Sequence, residues 1–405
     1  MSNWPNWLPL RKDLMDLSPY GAPQINNVTS LNTNENPFPL PEEVVDSILG
    51  ELPKVLHTLN RYPDRDANRL RDALAKYVNR ISKTSFTIEN IWAANGSNEI
   101  LQTLVLACGH GGVLGFTPSY SMHPLTTKVC GARWINGLRD EDFSLDIKKA
   151  TDQIKLEKPS IVFLTTPNNP TGGIITIEAI KELAQSAKLV GALLVVDEAY
   201  AEFSNETSAV SLIPSFENIV VVRTMSKAFA LAGARIGYLI GNSKIVEVAL
   251  ITRLPYHLSA QSQAIAIVAL ENYDLLQKEV DLLISERGRV ISDLIGMGFK
   301  IVDLFSYKHP EWTQAKDKGI ALVKEMVAMK KIDPAYQQKL EETVVSCIGK
   351  PAFLEKFEHY LTEAKCECPK GSILIEFVEN FQQTCMQPLA LGNESAKKIF
   401  SKFDL

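Results

Sequence analysis

The chain has 405 residues, of which 45% are hydrophobic and 22% charged, and its formal net charge is −5. That length exceeds what one hydrophobic core usually holds, so two domains are expected, and the composition excludes a disordered or fibrous chain. An acidic balance gives no basic field for nucleic acid, and no run of eighteen apolar residues is present to cross a membrane.

The first residues, MSNWPNWLPLRKDL, carry charges and prolines where a signal peptide needs an apolar run, so a cytoplasmic protein is expected. A proline-punctuated arm over residues 1–45 is assigned to the smaller domain. Helices are predicted at Glu42–Gly50 and Asp66–Val78 from three-to-four spacing of apolar residues. Residues 46–275 are read as the large domain. Between about residue 90 and 242 short apolar runs alternate with amphipathic helical patterns, which predicts an α/β fold: a mostly parallel sheet flanked by helices. The predicted strands are Ile91–Asn95, Gly112–Phe116, Ala132–Asn136, Ser160–Thr165, Ala192–Asp197, Asn218–Thr224 and Ala234–Ile240. Helices are predicted between them at Asn98–Cys108 and Ile177–Leu189. Ligands of such sheets bind at the carboxyl ends of the strands.

After Ser259 the pattern turns helical, at Ser259–Asn272 and Leu275–Met297. Residues 276–405 are assigned to the small domain, which is unusually helical and atypical after about residue 300. There are thirteen arginines up to Arg289 and none in the remaining 116 residues. Helices are predicted there at Asp317–Met329, Pro334–Val345 and Ala352–Ala364, and a strand at Ser372–Phe377. Six irregularly spaced cysteines read as reduced thiols, and Cys366-x-Cys368 has no second ligand pair, so no metal site is expected.

Four segments carry chemistry. Thr224-Met-Ser-Lys227 follows a predicted strand, where a poorly solvated lysine has a lowered pKa and can form a Schiff base. Thr224, Ser226 and Arg235 around it suit a phosphate dianion. Leu194-Val-Val-Asp197-Glu-Ala-Tyr200 ends an apolar strand in a carboxylate, able to keep a pyridine nitrogen protonated or, equally, to cap a helix. In Thr166-Pro-Asn-Asn169-Pro-Thr-Gly-Gly173 prolines and glycines fix a turn that aims an amide, so Asn169 and Tyr200 could both donate to a phenolate oxygen, although an ordinary turn reads the same way. In Ala94-Asn-Gly96-Ser97-Asn98-Glu99 a strand gives way to a helix start, which either binds an anion through Gly96, Ser97 and Asn98 or is simply capped by Ser97.

In this order and spacing the four segments resemble the fold-type I pyridoxal-5′-phosphate (PLP) aminotransferases, and among them the histidinol-phosphate aminotransferase family. Further likeness lies in Ser18-Pro-Tyr20-Gly, Leu31-Asn-Thr-Asn-Glu-Asn36-Pro, Asn60-Arg-Tyr62-Pro-Asp, Pro118-Ser-Tyr120-Ser-Met and Leu254-Pro-Tyr-His-Leu-Ser, spanning residues 8 to about 300. The resemblance implies PLP held by Lys227 as a Schiff base, Asp197 at the ring nitrogen, Asn169 and Tyr200 at the ring oxygen, and Tyr120 stacked on the ring. It further implies phosphate contacts from Gly96, Ser97, Asn98, Thr224, Ser226 and Arg235, with Tyr62 reaching in from the second subunit of a homodimer. Tyr20 and Asn36 would lie on the substrate side. The implied reaction takes an amino group from glutamate to a phosphorylated imidazole substrate, in histidine biosynthesis.

The family's C-terminal segment contains an arginine that pairs with the substrate's phosphate or carboxylate, and this chain has none there. Lysine does not reproduce a bidentate guanidinium clamp. Weaker substrate binding is therefore expected, unless Arg253 or a tail lysine near Lys350 takes over. An aromatic-amino-acid aminotransferase, another fold-type I PLP enzyme such as a decarboxylase of a phosphorylated amino acid, and a PLP-fold protein of impaired activity are the alternatives.

Overall fold

A computed structural model of the chain describes residues 4–5, 7–19, 21–22 and 32–297. Up to Asp293 these belong to one of the chain's two compact units. The expectations for Tyr20, for Lys350, for Cys366 and Cys368, and for the helices and strand after residue 300 lie outside the described residues.

Seven strands form one sheet in the order β1-β7-β6-β5-β4-β2-β3. They are β1 Ile91–Ala94, β2 Val113–Thr117, β3 Trp134–Leu138, β4 Ile161–Thr165, β5 Leu193–Asp197, β6 Ile219–Thr224 and β7 Gly237–Gly241. Neighbours are parallel except at β7, which runs antiparallel to both β1 and β6. All seven predicted strands are present, and all but β1 start later than predicted, β7 and β3 by the most. Arg235, at φ 56°, turns the chain before it can pair, so β7 begins at Gly237. Gly112, at φ 96°, also turns the chain before β2, although its carbonyl accepts the Ser160 N–H at 3.0 Å. Ala132 still donates its N–H to the Thr127 carbonyl at 3.0 Å, which delays β3 to Trp134.

The helices are α1 Glu42–Leu56, α2 Asn68–Ser82, α3 Ser97–Cys108, α4 Met122–Val129, α5 Ile147–Glu157, α6 Ile177–Leu189, α7 Ser243–Thr252, α8 Ala260–Glu271 and α9 Tyr273–Gly296. α1 runs past the predicted end at Gly50 and carries Pro53 within it, because Val44 and Ile48 are buried with Val268 of α8; tertiary burial outweighs the breaker signal. α4, α5 and α7 had no sequence prediction. α4 holds a proline and two threonines in eight residues, which is weak intrinsic helix chemistry. Among the described residues no helix is long and apolar enough to cross a membrane, and no cluster of His, Cys, Asp or Glu could hold a metal ion.

The central strands are buried on both faces, as their continuous apolar runs require. Leu114, Val162, Leu194, Val196 and Val221 pack with α2, α5 and α6 on one face. Val113, Phe163, Val195, Val220 and Val222 pack with α3 and α7 on the other. Each such side chain contributes roughly 1.5–3 kcal/mol of burial. The same alternation puts Arg223 on the first face, where it is buried beside Glu198 with Nη2–Oε2 at 2.8 Å. Glu202 lies 3.6 Å from its Nη1, and burial pushes the Glu202 carboxyl above its ordinary pKa while Arg223 opposes the shift.

Candidate active site

Strand parity decides which side chains meet. The face that carries Phe163, Val195 and Val222 also carries Thr165, Asp197 and Thr224, because residues two apart point the same way. In register, Thr165 pairs with Asp197 and Thr224 with Gly237. The parallel strands end here, β7 starts here, and the loops leaving them bring the predicted residues together.

Lys227 follows β6 by three residues and is half-buried. Its Nζ donates to the Thr33 carbonyl at 2.7 Å. Burial lowers its pKa below the ordinary lysine value; Glu35 opposes this and Arg235 adds to it. The neutral amine is thereby favoured relative to a surface lysine.

Asp197 and His123 are each 2% exposed, with Nε2 and Oδ2 3.0 Å apart. With the carboxylate as acceptor, Nε2 carries the proton of this contact. The other oxygen, Oδ1, accepts the Ala199 N–H at 3.2 Å. His123 is held by stacking on Phe163, with centroids 4.6 Å apart, and by an edge contact with Tyr120 at 5.6 Å. The Tyr120 hydroxyl donates to Asn98 Oδ1 at 3.3 Å.

The third group is an anion cradle. Gly96 caps α3 with φ 81° and ψ 166°, a conformation open essentially to glycine alone. A Cβ there would stand 2.6 Å from Arg235 Nη2, so the guanidinium lies directly against the start of α3. Gly237 is equally constrained, since its Cβ would stand 2.4 Å from the Gly96 carbonyl carbon and from Ser97 N. Arg235 Nη1 donates to Ser226 Oγ at 3.4 Å, and the Thr224 hydroxyl donates to the same oxygen at 3.0 Å. Among the described residues no carboxylate pairs with Arg235. A helix start, an unpaired guanidinium and two hydroxyls suit a phosphate dianion. The residues present therefore fit the phosphate and the ring of PLP.

The fourth group surrounds the Tyr200 phenol. Asn169 Nδ2 donates to it at 3.3 Å and Asn34 Nδ2 at 3.1 Å. Burial raises the Tyr200 pKa, the Asn34 bond lowers it, Asp197 raises it and Asn169 lowers it. Of the two consecutive asparagines in this turn, Asn168 is buried and serves the backbone: its Nδ2 donates to the Pro118 carbonyl and to Thr171 Oγ1, and its Oδ1 accepts from Ser119.

Lys227, Asp197, Tyr200, Asn169, Gly96, Ser97, Asn98, Tyr120, Thr224, Ser226 and Arg235 thus gather at one end of the sheet. Asn36 joins them, with Nδ2 3.5 Å from the Lys227 carbonyl and Oδ1 accepting the Phe38 N–H. Tyr62 stands apart: it is 79% exposed and its ring stacks on Tyr256 with centroids 4.5 Å apart. Arg253, one of the two alternative substrate anchors, is already engaged within the chain. Its side chain is 5% exposed and pairs with Asp66 at 2.5 Å, with His257 Nδ1 3.2 Å away. Sequence reasoning missed His123, Asn34 and Asn168. His123 alone left a signal, as a ring three residues after Tyr120, whose carbonyl accepts the His123 N–H at 3.1 Å.

The family model for aminotransferase class I and II matches residues 26–339. The chain is 47% identical over 328 residues to the histidinol-phosphate aminotransferase of Mycolicibacterium vanbaalenii, covering 78% of this chain and 88% of that one. The crystal structure of the histidinol-phosphate aminotransferase from Clostridium acetobutylicum aligns with a TM-score of 0.58 at 25% identity, over 66% of this chain and 77% of that one. An aspartate aminotransferase variant from Thermus thermophilus shares the fold, with a TM-score of 0.63 at 23% identity over 73% and 82% of the two chains.

Proposed function

Since the chain belongs to the class I and II aminotransferases, we propose that it is a PLP-dependent aminotransferase that carries an amino group from glutamate to imidazole acetol phosphate, giving histidinol phosphate in histidine biosynthesis. The observation that carries the cofactor assignment is the guanidinium of Arg235 against the glycine start of α3, on the same sheet end as Lys227 and Asp197. The substrate assignment rests on the 47% identity to a histidinol-phosphate aminotransferase.

When bound, PLP supplies an electron sink for the pair left by loss of the substrate's α-proton. Gly96, Ser97, Asn98, Thr224, Ser226 and Arg235 would hold its phosphate, and Tyr120 would lie against its ring. Asp197 would keep a proton on the ring nitrogen, with His123 fixing the carboxylate from behind. Asn169 and Tyr200 would orient the ring oxygen. Lys227 would hold the cofactor through its aldehyde, and its Nζ would take up the substrate's α-proton and give it back as general base and acid. Its lowered pKa suits both duties. Tyr20 and Asn36 are assigned to the substrate side.

We further assign residues 46–275 to the cofactor-binding domain and 276–405, with the arm 1–45, to the smaller one. Exposed Tyr62 suits a contribution to the phosphate site of a second copy, which makes the active form a homodimer. Cytoplasmic residence completes the reading.

The test is a half-reaction titration. The cofactor-loaded protein is mixed with glutamate, histidinol phosphate or phenylalanine, the visible absorbance is followed, and the oxo acid released is quantified. Response to glutamate and histidinol phosphate is expected. Response to phenylalanine in place of histidinol phosphate would move the assignment to an aromatic-amino-acid aminotransferase.

A further inference from the structure

We propose that Asn34, in the N-terminal arm, is a positioning residue: its amide and that of Asn169 fill the acceptor side of the Tyr200 phenol, leaving the phenol's own proton for a ligand oxygen. The inference rests on the reading above only in taking that oxygen to belong to the cofactor.

A phenolic oxygen donates one hydrogen bond and accepts through its lone pairs. Here two side-chain amides reach it, Asn34 Nδ2 at 3.1 Å and Asn169 Nδ2 at 3.3 Å. An amide nitrogen only donates, so neither can take the phenol's proton. Asn169 comes from the turn after β4, whereas Asn34 lies 166 residues from Tyr200 in sequence and arrives with the arm.

The arm is anchored on both sides of Asn34. The Thr33 carbonyl accepts Lys227 Nζ at 2.7 Å, and Asn36 Nδ2 stands 3.5 Å from the Lys227 carbonyl. Asn34 itself has φ 51°, in the left-handed region that asparagine tolerates better than other residues with a Cβ. A short turn therefore touches the reactive lysine and the phenol together, and the placement of the arm is transmitted to the proton of Tyr200.

The experiment titrates Tyr200 in the cofactor-free full chain, using ¹³Cζ-tyrosine NMR with Tyr200→Phe identifying the signal. Asn34→Gly removes the amide while keeping a backbone suited to positive φ. Loss of a donor to the phenolate should raise the phenol pKa by about one pH unit, the equivalent of one hydrogen bond. Asn34→Asp, which places an acceptor there, should raise it further. No change would overturn the inference, and so would a fall, which means that Asn34 accepts through Oδ1. In the cofactor-loaded protein, Asn34→Gly should also shift the pH midpoint of the visible absorbance band. A chain that takes up no PLP but shows the phenol shift sinks the cofactor reading and leaves the Asn34 contact standing.

Discussion

His123 Nε2 lies 3.0 Å from Asp197 Oδ2, and both side chains are 2% exposed. One carboxylate oxygen is fixed by this imidazole and the other by the Ala199 N–H, so the orientation of Asp197 is overdetermined. A hydrogen bond to a charged group contributes about 1.5–3 kcal/mol. His123→Ala should therefore lower kcat by roughly 10- to 100-fold and shift the visible band of the bound cofactor, with partial rescue by His123→Gln. Asp197→Asn should keep the lysine-bound cofactor but lose turnover by ~10²-fold or more, since an amide cannot hold the ring nitrogen protonated. Normal kinetics and an unchanged spectrum in His123→Ala would mean that Ala199 alone suffices.

Lys227 is the predicted site of cofactor attachment, and its pKa is lowered by burial. Only the neutral amine attacks an aldehyde. The rate of PLP attachment to the free protein should rise with pH and level off at a midpoint below the ordinary lysine value. Surface lysines should react only at higher pH. Stopped-flow absorbance over a pH series, with peptide mapping after borohydride reduction, provides the check. Lys227→Ala should abolish the labelled peptide, and label on another lysine would end the assignment.

Gly96 occupies a backbone conformation that costs other residues about 1–3 kcal/mol, and a Cβ there would meet Arg235 Nη2 at 2.6 Å. Gly96→Ala should displace the guanidinium from the start of α3 and raise the dissociation constant of PLP by roughly 10- to 100-fold. Equilibrium absorbance titration measures this, with circular dichroism to confirm an unchanged fold. Unaltered affinity would place the phosphate elsewhere.

Arg223 and Glu198 are a buried pair on the opposite face of the sheet, each with its side chain 3% exposed. Removing one partner strands a buried charge, whereas removing both need not. Arg223→Met should destabilise the chain by about 3–5 kcal/mol in urea unfolding, and Arg223→Met combined with Glu198→Leu should recover part of the loss. A double variant no more stable than Arg223→Met would show that the hydrogen bonds of Glu198 to Ser208 and Ala209 matter more than the pair.

Much of the site was legible in the sequence because its parts are local. The runs before Asp197 and Thr224 announce strands buried on both faces, and a ligand residue directly after such a run must stand at a strand end. Gly96 before Ser97 announces a helix start in the same local way. The strands could therefore be located, and Lys227, Asp197, Asn169 and Arg235 set beside their ends, from local pattern, while the roles expected of them came from the resemblance to a known family. Local pattern failed where packing outweighs propensity, as in α1, which continues through Pro53, and in α4, which is helical despite its composition.

Which residues touch was decided only by the tertiary structure. Asp197 and Glu198 are adjacent in the chain, yet one faces His123 and the other Arg223, because side chains of a strand alternate and the crossovers fix what covers each face. Asn168 and Asn169 share one turn, and the closure of that turn makes the first a backbone clamp and the second a donor to Tyr200. Arg253 and Arg235 are both arginines near the same sheet, but Asp66 neutralises the first, while the second has no carboxylate partner among the described residues and lies at the start of α3. The sequence by itself determined the chemical groups and the strand ends that bear them. Their partners were decided by sheet register and by the path of the arm, which join residues from 25 to 194 positions apart and leave no periodic trace in the chain.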